Sequence, residues 1–327
     1  PGHPVLIDKF LEDAIEMDVD AISDGKQAVI GGIMEHIEAA GVHSGDSACV
    51  LPPYTLGPDM LEEISKATRA MAHELKVVGL MNVQYAIKDN QLFVIEVNPR
   101  ASRTIPFVSK ATGVPLAKVA TKVMLGKTLE ELGVVEEVVP EYISIKEAVL
   151  PFGRFPDVDT LLGPEMKSTG EVMGIDSHFG GAYAKAQLGA GMKLPTRGTV
   201  FISVKDSEKA AVLPVASQFH KIGFSIMSTS GTSVFLSKNS IPNEVVTKVS
   251  MGRPNVVDAI KNGLVQLIVN TGAGDTSKRD GYHIRRSALK FNIPYATTIA
   301  GAKAMSRGVT ALRDKDLTVK TVQAYHR

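Results

Sequence analysis

The sequence predicts a chain of mixed α/β and α+β class, in which an antiparallel sheet is followed by an open parallel sheet. Short β-branched runs in residues 5–36 alternate with turn signals, which is typical of antiparallel strands. Residues 77–87 and 92–97 are strand-like on either side of Lys88-Asp89-Asn90-Gln91, which favours a tight hairpin. From residue 199 onward strand-like and helical runs alternate, which indicates parallel strands with helices on both faces.

The first part of the chain has two turn signals, Ser23-Asp24-Gly25 and Gly31-Gly32. They separate strand-like runs such as Val5-Leu6-Ile7 and Ala28-Val29-Ile30. Apolar residues that recur at intervals of three and four predict helices over residues 57–75, 107–125 and 128–132.

The second part has a different rhythm and begins after a flexible stretch at residues 189–195. We therefore predict two domains, residues 1–192 and 193–327. The stretch 142–164 is rich in proline and gives no clear pattern. The strand-like stretches of the second domain are residues 199–204, 224–227, 245–249, 264–270 and 295–297.

Composition restricts the classes of function. With 327 residues, 44% of them hydrophobic, the chain can form two domains with real cores. Lys and Arg (36) balance Asp and Glu (35), so we expect neither nucleic acid nor a membrane surface as a partner. A single cysteine, Cys49, excludes an intramolecular disulfide, and no apolar run reaches the roughly 18 residues of a membrane span. We expect a cytoplasmic protein, and the start at Pro1-Gly2-His3-Pro4 favours part of a longer chain.

The hairpin contains a candidate metal site. Glu96 and Asn98 are two residues apart on a strand and must share one sheet face, while a reversal near Asn90 places Gln84 roughly opposite Glu96. One carboxylate and two amide oxygens are donors that Mg²⁺ accepts. Arg100 and Arg103 follow at once and suit a phosphate. From these residues alone, a solvated polar face on an ordinary hairpin fits equally well.

A longer motif resembles a known family. The run Glu96-Val97-Asn98-Pro99-Arg100-Ala101-Ser102-Arg103, with Gln84 upstream, resembles the metal-binding core of ATP-grasp enzymes. Residues 10–16, 34–47 and 168–174 are similar to the second synthetase half of the carbamoyl-phosphate synthetase large-subunit family. The resemblance covers essentially the whole chain and implies a partial ATP-grasp domain followed by a methylglyoxal synthase-like domain.

The resemblance implies phosphoryl transfer. Gln84, Glu96 and Asn98 would bind Mg²⁺ or Mn²⁺, with Glu96 bridging two ions. Arg100 and Arg103 would act catalytically on phosphate or carbamate, so that ATP phosphorylates carbamate to carbamoyl phosphate for arginine and pyrimidine biosynthesis. ATP would contact Gln84, Glu96 and two further segments. The residues of these segments are Lys9, Leu11, Glu16, Gly41, Val42, His43 and Ser44. Taken alone, a histidine such as His43 in a Gly-flanked loop is more often a surface residue.

The same resemblance implies partners. An ATP-grasp enzyme covers the triphosphate with a Gly-rich loop from a preceding subdomain, so we expect the chain alone not to turn over. The complete enzyme would contain the remainder of the large subunit and a glutaminase small subunit, in an oligomer.

Two loops of the second domain suit a phosphate. Residues 228–232 and 270–274 are small and hydroxyl-rich at strand ends, where backbone N–H groups are accessible, although such loops are also ordinary connections. Residues 246–249, 284–288 and 292–298 resemble the regulatory domain of the same family, which binds UMP or IMP and, in many bacterial members, ornithine.

By this resemblance one set of residues forms a nucleotide pocket and another binds ornithine. The pocket residues are Lys209, Thr229, Thr232, Lys248 and Asn270. The ornithine contacts are Tyr295 and Thr297, with Glu38, Asp46 and Glu147 as acidic partners from the first domain. Gly272 and Gly281 stand where some members have hydroxyl residues, with Lys278 and Asp280 nearby, which leaves the effector open.

Three alternatives remain. One is a regulatory nucleotide-binding module without catalysis, which calorimetry with ATP and nucleoside monophosphates would distinguish. A methylglyoxal-forming enzyme over residues 198–327 would need a catalytic aspartate, for which Asp275 and Asp280 are candidates. Another ATP-grasp enzyme, such as a biotin carboxylase, would lack this C-terminal domain.

Overall fold

The computed structural model describes residues 2–5, 7, 10–12, 14–155, 158–272 and 275–326, and the side chains of all of these except 275–278. The chain divides into two compact units. Unit 1 contains Pro1–Gly41 and Leu51–Val139, and unit 2 contains Val42–Val50 and Pro140–Arg327. The domain boundary at residues 192–193 stays a prediction. Among the described residues no helix is long and apolar enough to cross a membrane.

Unit 1 contains an antiparallel sheet and helices packed against it. Its strands lie in the order β5-β4-β1-β2. Their bounds are β1 Ile15–Asp24, β2 Ala28–His36, β4 Val78–Lys88 and β5 Gln91–Asn98, and β3 is the short strand Cys49–Leu51. The helices are α1 Pro58–Glu74, α2 Ile105–Thr112 and α3 Leu116–Met124.

Alternation along β1 separates an apolar face from a polar one. Met17 and Val19 are fully buried and pack with Ile64 of α1 in the core of the unit. Burying such a side chain stabilises the fold by roughly 1.5–3 kcal/mol. Asp18 and Asp20, between these apolar residues, must point to the opposite face. The polar residues are therefore on the face that α1 does not cover.

The two predicted turns of this region have different outcomes. The turn after β1 is confirmed, because Asp24 Oδ1 accepts hydrogen bonds from Lys26 N and Gln27 N at 2.9 Å each. The predicted turn at Gly31-Gly32 is wrong, because both glycines lie inside β2. A Cβ atom on Gly31 would lie 2.9 Å from Leu116, and one on Gly32 would lie 3.0 Å from Val108. These glycines allow helices to approach the strand closely.

The predicted hairpin is confirmed and the predicted helices are partly confirmed. Asp89 (φ 51°) and Asn90 (φ 60°) both have the left-handed backbone that a two-residue hairpin turn requires. The helix predicted over 107–125 is two helices, because Gly113 ends α2 in the left-handed conformation (φ 79°). The helix predicted over 128–132 is wrong, because this stretch forms turns. Leu129 N donates to Asp24 Oδ2 at 2.9 Å, which ties the stretch to the end of β1.

Unit 2 begins with strands in the order β3-β6-β7 and one helix against them. β6 (Ile143–Val149) pairs antiparallel with β7 (Gly170–Asp176), and α4 spans Phe179–Gly189. Close packing fixes this contact, because a Cβ atom on Gly174 of β7 would lie 2.5 Å from the backbone nitrogen of Ala186 in α4.

The rest of unit 2 confirms the predicted parallel sheet. Its strands lie in the order β10-β9-β8-β11-β12 and pair in parallel. Val200, Phe201 and Ile202 of the central strand are completely buried, as expected for a strand covered on both faces. The strands are β8 Thr199–Ser203, β9 Ser225–Ser228, β10 Glu244–Val245, β11 Leu267–Asn270 and β12 Tyr295–Ala296. The helices are α5 Lys209–Lys221, α6 Ser230–Lys238, α7 Val256–Lys261, α8 Asp275–Lys290 and α9 Ile299–Asp314.

One predicted strand of this sheet is too long. Residues 245–249 were expected to be extended, but β10 ends at Val245 and a 3-10 helix follows at Val249–Met251. The reason lies in the neighbouring strand. Val245 pairs with Ser228, the last residue of β9, so the chain beyond has no further ladder to join.

We predict that Gly174→Ala destabilises the protein by about 3 kcal/mol or more, because the added methyl group would clash with the backbone of α4 at Ala182 and Ala186. Gly170→Ala, on the same strand, is the matched control, because among the described residues no atom beyond its two chain neighbours lies within 4 Å of its added Cβ atom. Urea unfolding of both variants measures the difference. Equal stability of the two variants would contradict the packing described for Gly174.

Candidate functional site

Polar residues cross the sheet of unit 1 in two rows. Residues paired across antiparallel strands point to the same face, so each row is a continuous line of side chains. The first row is Asp18, Gln84 and Glu96, and the second is Asp20, Asn82 and Asn98, each with one residue from β1, β4 and β5. The rows are adjacent because their members are two residues apart along each strand.

The predicted register of the hairpin is confirmed, since Gln84 lies opposite Glu96. Asn98 Nδ2 donates to Glu96 Oε1 at 2.8 Å, so these two side chains are in contact on the predicted face. Glu96 is exposed and Gln84 is half-buried. One carboxylate and two amide groups at a sheet edge fit the oxygen donors that Mg²⁺ or Mn²⁺ takes from proteins.

The two predicted catalytic arginines follow β5 in a tight bend. Arg100 N donates to the carbonyl oxygen of Asn98 at 2.8 Å, which reverses the chain directly after the last predicted metal ligand. Arg100 and Arg103 are both exposed, and Arg100 Nη1 donates to Ala101 O at 3.1 Å. Both guanidinium groups therefore lie within a few residues of Asn98 and are accessible to an anion.

A buried hydrogen-bond network that includes members of both rows was not predicted. His36 Nε2 lies 3.0 Å from Asp18 Oδ2, and Asn82 Nδ2 donates to Asp18 Oδ1 at 3.2 Å. Asp20 is completely buried, and burial raises its pKa to about 6, although hydrogen bonds from Ser102, Thr104 and Asn82 lower it. The period-two pattern of Glu16, Asp18 and Asp20 between apolar residues was the available signal.

The predicted nucleotide-binding residues of unit 1 are partly brought together. Glu16 Oε1 accepts a hydrogen bond from Gly41 N at 2.9 Å, and its Oε2 lies 3.4 Å from His36 Nδ1. Leu11 is half-buried. Lys9 lies outside the described residues. Glu16 thus holds the start of the predicted nucleotide loop at Gly41.

The remaining loop residues belong to unit 2 and are held within it. His43 N donates to Gly163 O at 2.8 Å, and its Nδ1 accepts from Gly45 N at 3.0 Å. Ser44 O accepts from Lys146 Nζ at 2.8 Å, and Val42 is half-buried. These contacts fix the loop by its backbone.

The acidic residues expected at an ornithine site have partners of their own. Asp46 is buried, and its two carboxylate oxygens accept from Lys167 N and Ser168 N at 2.8 Å each. Glu147 Oε2 accepts from Gln187 Nε2 at 2.7 Å. Glu38 belongs to unit 1 and is half-buried. Asp46 therefore orders the backbone around Ser168.

Unit 2 contains a cavity of about 430 Å³ at the carboxyl ends of β8, β9 and β11. All five residues predicted for the nucleotide pocket line it. They are Lys209, Thr229, Thr232, Lys248 and Asn270. The first turn of α6 and the middle of α8 contribute Gly231, Gly281 and Ile284. Ligands of open α/β sheets sit at this edge, so topology explains why residues far apart in sequence meet here.

The cavity has cationic groups and an unused acceptor. Lys209 Nζ lies 2.8 Å from Asp206 Oδ1, and this hydrogen bond and charge, followed by the charge of Lys248, lower the pKa of Asp206. Asn270 Nδ2 donates to Ser203 O at 3.3 Å, while its buried Oδ1 has no hydrogen-bond partner among the residues that the structure describes. A buried amide oxygen of this kind is costly unless a ligand satisfies it.

The sequence reasoning missed the loop that follows β8. Lys205 lines the cavity, and its backbone nitrogen donates to Thr271 Oγ1 at 3.2 Å. The available signal was the run Lys205-Asp206-Ser207 shortly after a buried strand, which lacks the small residues that marked the two predicted loops. Gly281 leaves space for two side chains, because a Cβ atom there would lie 2.6 Å from Arg285 Nη1 and 3.1 Å from Asn270 Oδ1 and would displace the end of Arg285. Gly272 also lines the cavity.

Part of the predicted loop and of the residues named after it cannot be compared with the structure. Ala273 and Gly274 of the predicted loop, and the side chains of Asp275 and Lys278, lie outside the described residues. Asp280 lines the cavity, and its Oδ2 accepts from Ser250 Oγ at 2.8 Å. Asp280 is thus held by a neighbouring hydroxyl.

Tyr295 and Thr297, the predicted ornithine contacts, lie at and after β12 and are both half-buried. Burial raises the pKa of the Tyr295 phenol, and the charges of Asp159 and Arg285 act on it as well. Arg285 is buried and binds Asp159 through two hydrogen bonds, of 2.8 Å from Nε and 2.6 Å from Nη2. This ion pair fixes the stretch 158–160 against α8.

Two protein-family models match the chain. Residues 2–132 match the carbamoyl-phosphate synthase L chain, ATP binding domain, and residues 211–297 match the MGS-like domain. These two matches confirm the predicted fold class, a partial ATP-grasp domain followed by a methylglyoxal synthase-like domain.

Individual relatives agree with the models. The chain is 56% identical to the carbamoyl phosphate synthase large chain of Archaeoglobus fulgidus, over 100% of this chain and 30% of that protein. It is 54% identical to the carbamoyl phosphate synthase large chain, C-terminal section, of Methanocaldococcus jannaschii, over 97% of this chain and 53% of that protein. The chain thus spans only about a third to a half of these relatives. It belongs to the carbamoyl phosphate synthase large-chain family and corresponds to the C-terminal section of that chain.

Proposed function

We propose that this chain forms part of the site at which a carbamoyl phosphate synthase large chain uses ATP to phosphorylate carbamate, and that its second domain regulates this step. The observation that supports the proposal best is the polar face of unit 1, where Gln84, Glu96 and Asn98 adjoin the bend with Arg100 and Arg103. In this proposal the enzyme is an ATP-dependent ligase of the cytoplasm, completed by the rest of the large chain and by a glutaminase subunit.

The proposed reaction transfers one phosphoryl group. A carbamate oxygen attacks the γ-phosphorus of ATP, the bond to the β,γ-bridging oxygen breaks, and carbamoyl phosphate and ADP form. Charge spreads over the equatorial oxygens in the transition state, and positioned cationic groups stabilise it. Arg100 and Arg103 are accessible and follow the last predicted ligand, so they suit this role. They would also hold the carbamate or the phosphate in place.

The donor set suits a divalent cation. Gln84, Glu96 and Asn98 would hold Mg²⁺ or Mn²⁺, which when bound neutralises phosphate charge. The contact between Asn98 Nδ2 and Glu96 Oε1 leaves Asn98 Oδ1 and Glu96 Oε2 as further acceptors. Glu16 would order the nucleotide loop through Gly41, and Lys9, Leu11, Val42, His43 and Ser44 remain proposed nucleotide contacts.

We propose that the cavity of unit 2 binds a nucleoside monophosphate such as UMP or IMP. Lys209 and Lys248 would supply positive charge, while the hydroxyl groups of Thr229 and Thr232 would direct the phosphate. Oδ1 of Asn270, which has no partner within the described part of the chain, would accept a hydrogen bond from a ligand donor such as a ribose hydroxyl. A pocket with such groups supports a second reading as well, a regulatory nucleotide-binding module without catalysis.

We propose that Tyr295 and Thr297 contact ornithine or a similar cation. Among the acidic residues, Glu38 and Glu147 are the proposed partners, while Asp46 would act by ordering the backbone at Lys167 and Ser168. Isothermal titration of the complete large chain with ornithine tests this. Equal affinity of the wild type and of Tyr295→Phe and Thr297→Ala variants would contradict it.

We predict that Glu96→Gln, in the complete large chain, lowers the formation of ATP from carbamoyl phosphate and ADP by about 100-fold or more, because the cation loses its carboxylate ligand. This assay is the reverse of carbamate phosphorylation and reports on this half alone. Bicarbonate-dependent ATP hydrolysis by the other half should stay largely intact.

Glu63→Gln is the matched control for this loss. Glu63 is exposed on α1, which packs on the opposite face of the sheet, so its substitution should leave both activities unchanged. Full activity of the Glu96→Gln variant, or equal loss of both half-reactions, would defeat the assignment of Glu96.

We predict that the 327-residue chain binds UMP or IMP and that Lys248→Ala weakens binding by about tenfold, because a charge-assisted hydrogen bond contributes roughly 1.5 kcal/mol. Affinity should also fall with added salt. Calorimetric titration measures both effects. Lys238→Ala, an exposed lysine on α6 outside the cavity, is the control. Absence of binding by both nucleotides at millimolar concentration would overturn the pocket assignment.

A further inference from the structure

A buried carboxylate connects the sheet of unit 1 to the loop that contains the catalytic arginines. Asp20, in the middle of β1, has no exposed surface. Its Oδ1 accepts from Asn82 Nδ2 at 2.9 Å and from Ser102 Oγ at 2.6 Å, and its Oδ2 accepts from Thr104 Oγ1 at 2.6 Å. Ser102 Oγ and Thr104 Oγ1 also lie 2.7 Å from each other. Three donors from two distant segments therefore meet at one carboxylate.

Burying the Asp20 carboxylate lowers the stability of the folded protein by a desolvation cost that a nonpolar side chain would not have. Removing a carboxylate from water is unfavourable even when hydrogen bonds satisfy it, and a well-packed apolar side chain of similar volume is often more stabilising. The pKa of Asp20, raised to about 6, reflects the same cost, since its three hydrogen bonds do not fully offset burial. A role in stability is thus a poor explanation for a carboxylate at this position.

The donors that Asp20 holds flank Arg103 directly. Ser102 precedes it and Thr104 follows it, so both neighbours of the arginine are fixed to β1. Thr104 is also the N-cap residue of α2, where a threonine side chain would ordinarily bond to the helix backbone, yet it makes no such bond. Its hydroxyl instead binds Asp20. Pro106, the second residue of α2, has no N–H that could bond to this hydroxyl.

The third donor connects Asp20 to the metal-binding row. Asn82 lies between Asp20 and Asn98 in the strand register, so it is the side chain next to a proposed cation ligand. Asn82 Nδ2 also donates to Asp18 Oδ1 at 3.2 Å. One carboxylate thus fixes both the loop with the arginines and the strand residue beside Asn98.

We propose that Asp20 is a positioning residue for phosphoryl transfer, which anchors Ser102 and Thr104 so that Arg103 is held in a fixed orientation next to the proposed cation ligands Gln84, Glu96 and Asn98. It does not touch the substrate or the cation. The inference rests on the proposed function of that site. Preorganisation of this kind affects the transition state more than the bound substrate, because a small misplacement of a charged group lowers the rate steeply.

The test uses the complete large chain and the formation of ATP from carbamoyl phosphate and ADP. We expect Asp20→Val to lower kcat at least tenfold while the KM for ADP changes less than about twofold. Asp20→Asn should retain much of the activity, because its amide oxygen can still accept from Ser102 and Asn82. Bicarbonate-dependent ATP hydrolysis should be unchanged in both variants.

A second variant and a control separate positioning from stability. The Ser102→Ala/Thr104→Ala double variant removes the two loop donors and should lower kcat to a similar extent, with little further loss when combined with Asp20→Val. This double variant also tests the positioning role if the Asp20→Val variant does not fold. Tyr85→Phe deletes a buried hydrogen bond on β4, that of 2.6 Å to Thr68, without contact to the loop, and should leave kcat unchanged.

The outcomes are distinct. A normal kcat in the double variant, or a loss in Asp20→Val no larger than that of Tyr85→Phe at equal thermal stability, would overturn the role of Asp20. The role of Asp20 would also be overturned if the losses in kcat from Asp20→Val and from the double variant were fully additive when combined. If Glu96→Gln abolishes the reaction and Asp20→Val does not, only the positioning role fails. If Glu96→Gln is fully active, the proposed function of the site fails first.

Discussion

The strand register of β1, β4 and β5 is the constraint on which the site of unit 1 depends. Side chains of paired residues share a face, so Asp18, Gln84 and Glu96 form one line and Asp20, Asn82 and Asn98 the next. A slip of one residue would turn each polar residue into the core beneath α1 and would place Met17 and Val19 among the polar side chains of the other face. The apolar core beneath α1 therefore fixes the strand register, and the register fixes the positions of both polar rows.

The second domain assembles its site by a different rule. In a parallel sheet all strands end at one edge, so the loops after β8, β9 and β11 converge although they are separated in sequence. Small residues at these strand ends leave space for the cavity. At Gly281 a larger residue would press against the side chains of Arg285 and Asn270. The cavity is therefore shaped by strand topology and by a few backbone positions that lack a side chain.

Two positions show where local sequence patterns fail to predict the structure. Gly31-Gly32 has the composition of a turn, yet it lies in the middle of β2 because Leu116 and Val108 pack directly over it. Thr104 has the composition of a helix cap, yet its hydroxyl donates to Asp20. At Gly31-Gly32 the contacts with residues distant in sequence outweigh a preference worth about 1 kcal/mol. Such contacts cannot be read from neighbouring residues.

The sequence by itself determined the fold class, the hairpin around Asp89-Asn90, the pairing of Gln84 with Glu96 and the five residues of the cavity. These follow from strand periodicity, from turn residues and from family motifs, all of which are local in the chain. Only the tertiary structure decided the buried network of Asp18, Asp20 and His36, the loop after β8 and the use of Asp46 by backbone groups. Burial and hydrogen-bond partners come from segments far apart in sequence, and their energies exist only once the chain has packed.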